Sequence, residues 1–151
     1  MTVNPFDLKS ALLAKHAQHV VLVHFPIALL ISSVAFDLLA IGTGSRSLAK
    51  AAYHNLIGAA ITALAAVGTG VLAWQLQLEG ENLRGNLRLH LGLGAWSALL
   101  IWTLAWWRSR QERQDSGSLT VGYWAIAFLA VLIVAFTGHL GGILSGVEVP
   151  N

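Results

Sequence analysis

The sequence predicts an all-α integral membrane protein, a single domain over residues 1–151 built as an up-down bundle of four transmembrane helices. Three observations carry this prediction. Of the 151 residues, 56% are hydrophobic and only 11% charged, with a mean hydropathy of +0.66; a soluble domain carries about 25% charged residues. Apolar runs long enough to cross a bilayer recur four times along the chain. The charged residues are confined to short clusters between those runs.

A helix rising about 1.5 Å per residue needs roughly 20 mostly apolar residues to cross about 30 Å of hydrocarbon. The first such run covers residues 20–41, the second 52–78, the third 87–107 and the fourth 119–144. Gly42 to Arg46 separates the first two, Glu79 to Asn82 the next two, and Arg108 to Ser118 the last two, all rich in helix-breaking or charged residues. Asp7, Lys9 and Lys15 precede the first run, which is too long for a signal-peptide core and has no small-residue cleavage site after it. The first helix is therefore expected to stay in the mature chain. The second run is rich in Gly and Ala, from Gly58 to Gly70, which predicts close helix packing in lipid. Pro26 either opens the first helix or, if that helix begins near Gln18, kinks it.

Four spans put the N-terminus, the loop around Glu79 to Arg88 and the C-terminus on one side of the membrane, side A. The loops around Gly44 to Lys50 and Arg108 to Asp115 fall on side B. Tyr53, Trp106, Trp107, Tyr123 and Trp124 then form an aromatic belt at the side B boundary. Side B carries five basic residues (Arg46, Lys50, Arg108, Arg110, Arg113) against four on side A (Lys9, Lys15, Arg84, Arg88). The positive-inside rule thus assigns side B to the cytoplasm and both termini to the opposite side of the membrane. Asp37, near the side B end of the first helix, is expected to pair with Arg46 or Lys50 or to reach the headgroups. A proton or quinol-hydroxyl contact with His54 is the alternative.

A net charge of +2 gives no footprint for nucleic acid. The absence of Cys excludes disulfides, iron–sulfur clusters, thiolate zinc and covalently attached c-type haem. Six histidines in so apolar a chain are the unusual feature. His24, His90 and His139 lie on three different helices at the side A end, within about 3 Å of one depth. His19 sits at the same mouth nearer the water, and His54 belongs to side B. Polar side chains in a membrane are costly and mark functional sites. A pure imidazole set favours haem iron with two axial histidines over zinc or calcium, which take thiolate or carboxylate ligands. Small residues accompany the histidines at helical spacing: Ala28, Gly58 and Gly94 four residues after His24, His54 and His90, and Gly142 three after His139. They leave room on the same face for a flat macrocycle. Arg84 and Arg88, just outside His90, are candidates for the haem propionates.

His19-Val-Val-Leu-Val-His24-Phe25-Pro26-Ile27-Ala28-Leu29 resembles the HPxxVHFPIAL opening of a family of predicted bacterial membrane proteins, catalogued as domain of unknown function 2231. Arg88-Leu-His90-Leu-Gly92 is similar to the third-helix histidine segment of that family, and Thr137-Gly138-His139-Leu140-Gly141-Gly142 to its GHLGG-type ending. Val20 stands where the family usually has Pro. The resemblance spans nearly the whole chain and implies a four-helix membrane domain of a kind often found beside or fused to cytochrome modules.

The expected function is that of a membrane b-type cytochrome subunit, an electron carrier rather than a stand-alone enzyme. It would pass electrons between the quinone pool and a partner redox protein on side A, through haem b held by two of His24, His90 and His139. His24 and His90 are the expected axial pair, because the first and third helices of an up-down bundle face each other diagonally. His19 is expected to remain near the water with little role. Arg84, Arg88, Gly94 and Gly142 complete the expected cofactor site. Membrane lipid is the expected surrounding partner, with assembly into an oligomer or complex left open. A non-redox scaffold and a histidine-based metal-ion carrier are the alternatives.

Overall fold

The computed structural model describes residues 17–77, 82–113 and 119–145. Lys9, Lys15, residues 78–81 and residues 114–118 lie outside the described residues. Among the described residues there are four helices: α1 (Ala17–Thr43), α2 (Arg46–Gln77), α3 (Gly85–Arg113) and α4 (Val121–Leu144). All four are long and apolar enough to cross a membrane, through Gln18–Thr43, Arg46–Gln75, Gly85–Gln111 and Val121–Leu144. The fold is the all-α four-helix membrane bundle that the sequence predicts.

The helices outrun the apolar runs at several ends. Backbone hydrogen bonding continues wherever side chains reach water or headgroups, so α2 begins at Arg46 and α3 continues through Arg108 to Arg113. Because α1 begins at Ala17, Pro26 lies inside it rather than at its start. Proline has no N–H, so the Leu22 carbonyl loses its bond to residue 26, and Pro26 is buried. Between α1 and α2 the chain turns at Gly44, with φ of 70°, a conformation that a Cβ would strain. α4 opens on Thr120, whose hydroxyl accepts from the Tyr123 N–H.

α1 packs along α2, α2 along α3 and α3 along α4, and α4 closes the ring against α1. The centre is built from Leu30 and Val34 of α1, Leu56, Ala59, Ala60 and Ala63 of α2, Ile101, Leu104 and Ala105 of α3, and Ala127, Ala130 and Val134 of α4. So many alanines let the backbones approach closely, which is a main source of helix association in lipid. Many other large apolar side chains point outward, among them Ile31, Leu64, Trp96, Trp102, Leu132 and Phe136. Only 22–28% of an 18-residue apolar stretch within each helix is buried inside the protein. Lipid takes the place of the missing cover.

Candidate functional site

Two polar clusters close the ends of this alanine-rich core, and each draws on all four helices. At side A, His19 of α1 and His90 of α3 meet across the diagonal with ring centroids 6.3 Å apart and planes at 87°. The His90 Nδ1–H donates to the Thr137 carbonyl of α4 at 3.0 Å. A carbonyl only accepts, so the proton is on Nδ1 and the ring lone pair on Nε2. The Thr69 hydroxyl of α2 lies 2.9 Å from the Ala65 carbonyl and is hydrogen-bonded to His19 Nδ1 at 3.2 Å. Glycines make room for both rings. A Cβ at Gly70 would stand 3.0 Å from His19 Cε1, and one at Gly141 would stand 3.1 Å from His90 Cε1.

His24 and His139, expected at the depth of His90, do not share its burial. His24 follows His19 by five residues, about 140° round a helix of 3.6 residues per turn, and its ring is exposed. Its Nδ1–H donates back to the Val20 carbonyl at 2.6 Å. His139 is exposed and stacks against Phe136, with centroids 6.5 Å apart. The ring brought against His90 is that of His19, a residue expected from the sequence to stay near the water with little role. Depth is readable from residue number, but the direction a side chain faces depends on helix rotation. Among the described residues no group of three His, Cys, Asp or Glu side chains is placed to hold a metal ion.

The small residues of the expected cofactor site differ in what they face. Gly94 looks onto the Thr137 methyl group, where a Cβ would make ordinary contact at 4.0 Å. Gly142 is half-buried, and Gly58, beside His54, is already filled by Leu29. Arg84 and Arg88 are exposed at side A. His54 is exposed at side B and donates to the Lys50 carbonyl at 2.7 Å.

At side B the structure corrects the expectation for Asp37. Its partner is neither Arg46 nor Lys50 but Arg108, whose Nη2 donates to Oδ1 at 3.1 Å. Asp37 is 2% exposed, so this ion pair is internal and joins α1 to α3 across the bundle. The same Nη2 reaches the Ala49 carbonyl of α2 at 3.4 Å, and the Tyr123 hydroxyl of α4 donates to Asp37 Oδ2 at 2.9 Å. Tyr123 is buried, so it does not belong to the interfacial belt that Trp106, Trp107 and Trp124 border. By hydropathy Arg108 belongs with the loop charges, since it follows Trp107, the last residue of the third apolar run. The signal that pairs it is the lone acid inside the first span, since a membrane carboxylate requires a partner.

No curated protein and no solved structure matches this chain. A family model described as predicted membrane protein (DUF2231) matches residues 15–148, all four helices included, and the chain belongs to that family.

Proposed function

We propose that the protein is a haem-carrying membrane subunit, a b-type cytochrome, with the iron held at the side A mouth by His90 and His19. One observation carries the reading: two imidazoles from diagonal helices, 6.3 Å apart, each with Nδ1 hydrogen-bonded to a protein group. Metal-ligating histidines are fixed in this way, through a hydrogen bond from the nitrogen that does not bind. With Nδ1 of His90 bonded to the Thr137 carbonyl, its Nε2 would be the nitrogen left to bind a metal. A bare ion needs three or four protein ligands, whereas haem iron needs only axial ones, so a two-imidazole donor set fits haem. Haem would supply reversible one-electron chemistry between the quinone pool and a partner redox protein on side A. The chain's own part is to fix two ligand rings, keep water away from them with apolar helices, and present Arg84 and Arg88 to anionic groups at the mouth. His24 and His139, expected at the same depth, are the next ligands in order. The basic-residue bias supports side B in the cytoplasm and both termini in the periplasm of a bacterial inner membrane.

The second reading is a non-redox scaffold whose histidines only tie helices together. The hydrogen bonds of His24 and His54 to their own helices favour it. A visible absorption spectrum of the detergent-purified chain, before and after dithionite, separates the two. A Soret band that shifts on reduction, lost in His90→Ala and His19→Ala and kept in His54→Ala, supports the haem site. A His19→Ala protein with an unchanged low-spin spectrum, while His24→Ala loses haem, moves the ligand to His24. A colourless chain after haem supplementation leaves the scaffold.

A further inference from the structure

We infer that the side B cluster is a second binding site, one that takes the hydroxyl group of an amphiphile dissolved in the bilayer. Among the described residues two buried side-chain atoms have no hydrogen-bond partner, Arg108 Nε and Gln111 Oε1. Both residues are more than nine-tenths buried, at 7% and 6% exposure. They stand three positions apart on α3 and so share a face.

One atom is an obligatory donor and the other an acceptor. A single hydroxyl satisfies both, accepting from Nε–H through its oxygen and donating its own proton to Oε1. A ligand that only accepts, such as a phosphate diester or a quinone carbonyl, leaves the glutamine oxygen unpaired. The guanidinium does not swing away to relieve Nε, because Nη2 is held by Asp37 and the Ala49 carbonyl, and Asp37 by Tyr123. The ion-pair network thus aims the unsatisfied edge. Unpaired buried polar atoms are rare and unfavourable, and an apolar residue at position 111 would avoid the cost.

Gln111 lies in the last turn of α3, four residues past the apolar run that ends at Trp107, where a spanning helix reaches the headgroups. Two bilayer residents offer a hydroxyl there: a phosphoglycerol lipid headgroup and a hydroquinone. Both unpaired atoms are shielded, so the long Gln111 side chain must turn as the ligand enters. Arg108 lies about 27 Å along α3 from His90, and the inference does not rest on the imidazole pair.

The test uses the full chain in detergent, wild type against Gln111→Leu and Gln111→Met, titrated separately with phosphatidylglycerol and a decyl-substituted benzohydroquinone. Phosphatidylcholine and the dimethyl ether of the hydroquinone are the controls without a free hydroxyl. Binding is read by native mass spectrometry and by the shift in unfolding temperature. At least one hydroxyl probe is expected to bind wild type about tenfold or more tightly than either variant, with the controls indifferent to residue 111. The probe that discriminates names the source. If neither hydroxyl probe binds, or if both bind wild type and variants equally, the inference is overturned and the two atoms are served by internal water. Gln111→Met keeps the side-chain length, so a folded variant remains for comparison should Gln111→Leu not accumulate.

Discussion

Breaking the Asp37–Arg108 pair is the most informative perturbation of the fold. Replacing Asp37 by Leu leaves a guanidinium that is 8% exposed facing hydrocarbon, with only the 3.4 Å contact to the Ala49 carbonyl. Removing one partner of a buried ion pair costs about 3–5 kcal/mol. The Tyr123 hydroxyl loses its acceptor as well, at about 1 kcal/mol, the scale of a single hydrogen bond. The expected loss is therefore about 4–6 kcal/mol for Asp37→Leu. Joint replacement, Asp37→Leu with Arg108→Met, removes both charges together and is expected to recover most of that loss, since apolar substitutes for a buried pair are often neutral or stabilising. Tyr123→Phe alone keeps the pair and costs about 1 kcal/mol. The assay is reversible dodecyl sulfate unfolding of the detergent-solubilised chain, followed by circular dichroism and by the fluorescence of its six tryptophans. A double variant as unstable as the sum of the two single variants would refute the internal pairing. So would an Asp37→Leu protein within about 1 kcal/mol of wild type, the range of an exposed ion pair.

Two further outcomes are expected. Gly68→Ala, with nothing within 4 Å of the added methyl group, stabilises α2 by about 0.5–1 kcal/mol in the same unfolding assay. Gly141→Ala instead displaces the His90 ring and gives no such gain, and equal effects at the two glycines would refute the close ring packing. If side B faces the cytoplasm, a membrane-impermeant thiol reagent on intact cells labels Asn82→Cys and spares Ser116→Cys; the reverse pattern inverts the orientation.

The fold class was legible in the sequence because it rests on totals. Twenty or more apolar residues between charged breakers must lie in lipid as a helix, since only intrahelical bonds satisfy the backbone there. The side A location of His19, His24, His90 and His139 was legible for the same reason, as depth follows from counting residues along alternating helices. What counting does not give is azimuth. In spans apolar all round, no polar face tells which side of a helix points inward, so the matched depth of His24 and His90 gave no sign that His24 turns to lipid while His19 meets His90. The ends of the helices were equally hidden. Arg46 and Arg108 mark the edge of hydropathy, but backbone hydrogen bonds continue beyond it, and that continuation carries Arg108 into the bundle. The sequence alone determined which residues lie in the membrane and at what level. Only the packing of four helices decided which of them meet: Asp37 with Arg108 and Tyr123 at one mouth, His19 with His90 at the other. A costly polar group in lipid is tolerated only where a partner from another helix satisfies it, and that partner is set by the rotation of both helices.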